Sequence, residues 1–91
     1  MALKIKILGP GCINCYRVEE SAVEALRRLS EEEPELEATL QHVTDFKEIM
    51  KYPILATPGL VVNEELVCAG RIPRLDEIIG WMREALNDTT G

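Results

Sequence analysis

The sequence predicts a small α/β domain in the order βαβαββα, a four-stranded mixed sheet flanked by three helices. Segments of alternating hydrophobicity are interleaved with segments of helical period, the pattern of mixed secondary structure. A long helix separates the first two strands, which calls for a parallel pair joined by a right-handed crossover. Three residues separate the last two, which calls for an antiparallel hairpin. At 91 residues the chain is one domain, 1–91, just large enough for a modest core.

Leu3, Ile5 and Ile7 alternate with Lys4 and Lys6, giving a first strand that ends near Leu8. Gly9-Pro10-Gly11 breaks it. From Cys12 a helix follows, with Cys15, Val18, Ala22, Ala25 or Leu26, and Leu29 on one face and charged residues on the rest. Ser30 and the run Glu31-Glu32-Glu33-Pro34 end it, because proline disfavours helical geometry in the residue before it. Leu36, Ala38 and Leu40 form a second strand with one polar face. Thr44 or Asp45 caps a short helix through Lys51, closed by Tyr52-Pro53. Gly59 to Val62 and Leu66 to Ala69 are the third and fourth strands, joined by Asn63-Glu64-Glu65. Pro73 suits the first turn of a last helix that carries Leu75, Ile78, Ile79, Met82 and Leu86 inward. Residues 87–91 are expected to fray. One short middle helix leaves a face of the sheet thinly covered, consistent with Lys4 and Lys6 on the first strand.

Apolar residues at 46% and charged residues at 29% describe a soluble globular chain. A net charge of −6 with dispersed basic residues disfavours nucleic acid and anionic membranes, both of which reward clustered Lys and Arg. No apolar run approaches the roughly 20 residues of a membrane span. The amino-terminal segment reads as a strand and not as a signal peptide, so the cytoplasm is the expected compartment. There, three cysteines point to catalytic, redox or metal use.

Cys12 and Cys15, in Gly9-Pro10-Gly11-Cys12-Ile13-Asn14-Cys15, carry the chemistry. Residues three apart on a helix share a face, so the two sulfurs can close a disulfide or face one guest. A thiol at a helix start gains from the macrodipole, which lowers its pKa and favours the thiolate. Cys15, one turn in on the apolar face, is expected to be more buried and less acidic. Cys12 is then the attacking thiol and Cys15 the resolving one. The same spacing also serves soft metals, Cu(I) or Zn, with Cys68 as a conceivable third ligand. Cys68, on the parity of Leu66, reads first as a core residue. His42 reads first as a partly buried, hydrogen-bonded histidine and second as a proton shuttle, Trp81 as packing or surface. Tyr16 has two readings, a residue flanking the thiols or an exposed helix position.

A second signal is Ala56-Thr57-Pro58-Gly59-Leu60-Val61-Val62, in which a proline opens a strand. Together with the CxxC pair and the element order, this resembles the thioredoxin/glutaredoxin superfamily over almost the whole chain, from Leu3 to about Leu86. More closely it is similar to small archaeal and bacterial thioredoxin-like redox-active disulfide proteins, through Gly9-Pro10-Gly11-Cys12-Ile13-Asn14-Cys15, Pro58-Gly59-Leu60 and Gly70-Arg71. The resemblance implies a cis Thr57–Pro58 bond beside the sulfurs, a Thr57 backbone that pairs with substrate, and Gly11 in support. It implies a thiol–disulfide oxidoreductase whose only redox group is the Cys12–Cys15 disulfide, with no further cofactor and no metal. Its partners would be a disulfide reductase or glutathione-type donor and a thiol or disulfide client, acting on a monomer. The chain departs from the usual thioredoxin motif: Gly11 stands where tryptophan precedes the first cysteine, and Ile13-Asn14 replaces Gly-Pro.

Overall fold

A computed structural model describes residues 2–11 and 13–88. It contains β1 (Ala2–Leu8), α1 (Ile13–Glu32), β2 (Glu37–Val43), α2 (Phe46–Ile49), β3 (Gly59–Val62), β4 (Glu65–Ala69) and α3 (Leu75–Asp88). The sheet order is β2-β1-β3-β4. β1 and β2 are parallel, from Ala2 opposite Glu37 to Leu8 opposite Val43. β3 runs antiparallel to both β1 and β4, so the sheet is mixed. No helix among the described residues is long and apolar enough to cross a membrane.

The two faces of the sheet are covered unequally, as strand alternation requires. On one, Leu3, Ile5 and Ile7 of β1 and Leu60 and Val62 of β3 meet Cys15, Val18, Ala22, Ala25 and Leu29 of α1 and Ile78, Met82 and Leu86 of α3. On the other, Leu8, Val43, Val61 and Ile49 form a smaller cluster with Tyr52, Ile54 and Leu66. Lys6 on that thin face donates to the Tyr52 hydroxyl and the Glu64 carboxylate, each at 3.0 Å. A charged side chain thereby closes what the four-residue α2 is too short to reach.

Several boundaries differ from expectation. β2 spans Glu37–Val43 and so runs past the Leu36, Ala38 and Leu40 stripe, because β1 offers ladder partners that far and Gly9 N then donates to Val43 O at 3.0 Å. As an edge strand β2 stays largely exposed, Ala38 included. α2 is capped by Asp45, whose side chain accepts from Lys47 N, and it ends two residues before Lys51. α3 begins at Leu75, so Pro73 lies buried ahead of the helix instead of in its first turn. Leu75 and Ile79 are half-buried flanks of the inward stripe. Asn87 and Asp88 are helical, while the remainder of the tail expected to fray, 89–91, lies outside the described residues.

Cys68 lies on the opposite face of the sheet from Leu66. Leu60 pairs with Cys68 but Val61 pairs with Leu66, so a bulge adds a residue to β4. Beyond it the parity inverts: Leu66 packs on the small cluster, while Val67 and Cys68 join the large one. The thiol is a buried core group as expected, but on the opposite face from Leu66. Burial pushes its pKa up.

The start of α3 carries a pH-dependent device. Glu77 accepts from both terminal guanidinium nitrogens of Arg71, at 2.8 and 3.0 Å, and from Arg74 N at 3.0 Å. Arg71, then the Arg74 amide, holds the carboxyl at about 2 against an ordinary 4.5. A depressed carboxyl contributes stability above its unfolded pKa and loses it as pH falls toward the folded one. Glu77→Gln is therefore expected to be less stable than the parent above pH 5. The two should converge between 4.5 and 2 in urea melts followed by circular dichroism. A constant gap down to pH 2 would contradict this origin.

Candidate active site

Gly9-Pro10-Gly11 carries the chain from the end of β1 to the start of α1. Gly9 continues the parallel ladder by one bond and is buried. Gly11 turns the backbone with φ +100°, a region that costs an L side chain strain. Cys12, expected as the attacking thiol, lies outside the described residues; in the chain it immediately precedes Ile13, the first residue of α1. Cys15 sits in the first turn of α1, wholly buried in the large core.

Gly9 organises the space around Cys15. A Cβ built on Gly9 would clash with the Cys15 Sγ and would stand 3.8 Å from Thr57 Cβ. The missing side chain lets the sulfur, the end of β1 and Thr57 come together. Sequence reasoning took Gly9 only as a strand breaker; glycine directly after a strand and six residues before a core cysteine was the available signal. Thr57 is exposed, Pro58 is buried, and the bond between them is cis. Pro58 O accepts from Gly70 N at 2.9 Å, which ties the segment to the end of the β3–β4 hairpin. Gly70 itself has φ +79°.

Next to Thr57 lies an open groove of about 370 Å³, lined by Phe46, Ile49, Met50, Ile54, Leu55 and Ala56. Leu55 is fully exposed, and Phe46 and Met50 are largely so. Ile13, between the two cysteines, is exposed as well. Isolated exposed apolar residues are ordinary, whereas several lining one groove mark a contact surface. Sequence reading did not find this surface. The clue was an apolar content in 46–55 greater than one turn of helix can bury.

In the first turn of α1, Tyr16 is half-exposed, and His42 of β2 is partly buried. Their rings meet edge to face, centroids 5.5 Å apart at 75°. Glu19 Oε1 stands 3.4 Å from His42 Nδ1, while the buried Nε2 has no hydrogen-bond partner. Half of the expected environment of His42 is thus present, a polar contact at one nitrogen. Trp81 is half-buried against the large core. No group of three or more His, Cys, Asp or Glu among the described residues is placed to hold a metal. None of them is a buried charged residue.

A family model described as a thioredoxin domain matches residues 3–83. A thioredoxin of Methanothermobacter thermautotrophicus is 34% identical over 76 residues, covering 84% of this chain and 92% of the relative. A thioredoxin of Methanocaldococcus jannaschii is 34% identical over 74 residues, covering 81% and 79%. With the mixed β2-β1-β3-β4 sheet and its three helices, these matches place the chain in the thioredoxin/glutaredoxin superfamily, the family of thiol–disulfide oxidoreductases.

Proposed function

We propose that the chain exchanges disulfides through Cys12 and Cys15, with Cys12 attacking and Cys15 resolving. The Cys12 thiolate displaces one sulfur of a client disulfide, forming a mixed disulfide and releasing a client thiolate. The Cys15 thiolate then attacks the Cys12 sulfur and expels the second client thiolate. The client gains two electrons, and the Cys12–Cys15 pair is left oxidised. A disulfide reductase or glutathione-type thiol in the cytoplasm would restore the dithiol, and running the steps backward oxidises a client dithiol.

The placement of Cys15 carries this reading. This residue is wholly buried in the first turn of the helix that Cys12 precedes, and its sulfur fills the space beside Gly9 that a side chain there would take, a space Thr57 also borders. A resolving thiol needs this arrangement, shielded from solvent and clients yet one helical turn from the attacking residue. Thr57 is exposed and lines the apolar groove, so its backbone is suited to pair with an extended client segment whose apolar side chains enter the groove.

The test is Cys15→Ser with a peptide disulfide. A stable 1:1 adduct on Cys12, released by dithiothreitol, is expected where the parent turns over. If no adduct forms and Cys12 alkylates with a pKa near the unperturbed value of about 8.5, the oxidoreductase reading fails. Tight Cu(I) or Zn binding that is lost in Cys12→Ser, with no turnover, would make the chain a soft-metal carrier instead.

A further inference from the structure

A second groove, of about 280 Å³, lies at the outer edge of the sheet between β4 and α3. β4 is the last strand of the sheet, so no further strand closes the groove on that side. Val62 ends β3 and pairs with Glu65, whereas Gly59, next to Pro58, begins it and pairs with Ala69. The groove, which holds Val62 and Glu65, is therefore at the opposite end of the hairpin from Thr57 and Pro58. Its apolar lining includes Val67, Trp81 and Ala85, all partly buried. Glu65 of β4 and Glu84 of α3 line it too, and both are exposed. No basic residue lines it. Arg83, the one basic residue of α3, is committed to Glu32 of α1 at 2.8 Å. Among the described residues no ion pair engages Glu65 or Glu84.

We propose that this groove docks a lysine- or arginine-bearing segment of a partner protein. The stem of one basic side chain lies along Trp81, and its cation stands between Glu65 and Glu84. An indole face attracts a cation, and a long basic side chain covers apolar surface with its methylene stem while its head keeps to charge and water. The carboxylates decide the class of partner. An apolar segment seated here would strip water from two anions with no compensating contact, a cost that a cation offsets. An acidic segment would add like charge. The chain's net charge of −6 also speeds the approach of a cationic partner. The inference does not rest on the cysteine exchange: no cysteine lines the groove, and a segment docked there leaves Thr57 and Pro58 open to a client.

Trp81 is the single tryptophan of the chain, so its fluorescence reports on the groove directly. The probe is the acetylated and amidated pentapeptide Gly-Lys-Val-Lys-Gly, titrated into the full chain. A saturable change in emission is expected, with weaker binding in high salt, because contacts between exposed charges are screened. Replacing both peptide lysines by glutamine should weaken binding about tenfold, and so should Glu65→Gln/Glu84→Gln, as two partly screened charge contacts imply. Glu35→Gln/Glu37→Gln removes as much charge at the start of β2, on the far edge of the sheet, and should bind like the parent. The absence of a saturable change overturns the proposal, and so does equal affinity for the glutamine peptide. Equal weakening in the two double variants overturns it as well, since the peptide would then follow net charge alone. Parent dimers in sedimentation that the peptide disperses would assign the groove to a second copy of the chain and remove the partner protein.

Discussion

Cys12→Ser is expected to lower disulfide turnover by about a thousandfold or more, equivalent to roughly 4 kcal/mol of barrier at 1.36 kcal/mol per decade. Serine preserves size and polarity but cannot form a sulfur–sulfur bond, so no mixed disulfide exists for Cys15 to resolve. A hydroxyl is moreover not ionised at neutral pH, so the α1 dipole has no anion to stabilise. The two single variants should differ in kind. Cys15→Ser completes the first displacement and stops, whereas Cys12→Ser does not begin. Their stabilities should differ as well, because Cys15→Ser puts a hydroxyl into a wholly buried apolar site, at a cost of about 1–3 kcal/mol. Residual turnover in Cys12→Ser within tenfold of the parent would mean that another thiol attacks. Cys68 is poorly placed to substitute, buried and with its thiol pKa raised.

The parts of this structure that were legible in the sequence are those set by local periodicity. β3 spans Gly59–Val62 as its apolar run suggests, and the buried face of α1 is the stripe that begins at Cys15. Caps and turns were legible where a side chain or glycine has a local reason to be there, as at Asp45 and Gly11. The rest depends on partners far away in the chain. The length of β2 is fixed by how far β1 offers ladder groups. The bulge at Leu60/Val61 reverses the parity of Cys68 without leaving a mark on the alternation of β4. The groove beside Thr57 arises because residues 46–56 are anchored at Ile49 and Ile54 while Phe46, Met50 and Leu55 face outward. A pattern of apolar residues cannot distinguish that arrangement from an ordinary core-facing turn, since both need the same composition.

Gly9→Ala offers the second large effect, and it isolates crowding from backbone conformation. Gly9 is not in the left-handed region, so its need for glycine is spatial: the new methyl would clash with the Cys15 Sγ and sit 3.5 Å from Cys15 Cβ. The sulfur or β1 must move. Overpacking of this kind costs about 1–3 kcal/mol, against about 0.4–1 kcal/mol gained from a stiffer unfolded chain, so net destabilisation is expected. Function should suffer more than stability. A displacement near 1 Å can cost on the order of a hundredfold in rate, and here it falls on the sulfur that resolves the mixed disulfide. The expected signature is a mixed disulfide that forms at nearly the parental rate and persists far longer. Gly11→Ala is the control. There the φ of +100° is strained for any side chain, yet among the described residues beyond its chain neighbours the nearest atom to the new methyl is the Tyr16 hydroxyl at 3.6 Å, an ordinary contact. It should lose stability while leaving the lifetime of the mixed disulfide close to that of the parent. Stopped-flow measurement of the resolving step in both variants, beside urea melts, separates the two causes. A parental resolving rate in Gly9→Ala would show that Cys15 does not depend on the space that the glycine leaves.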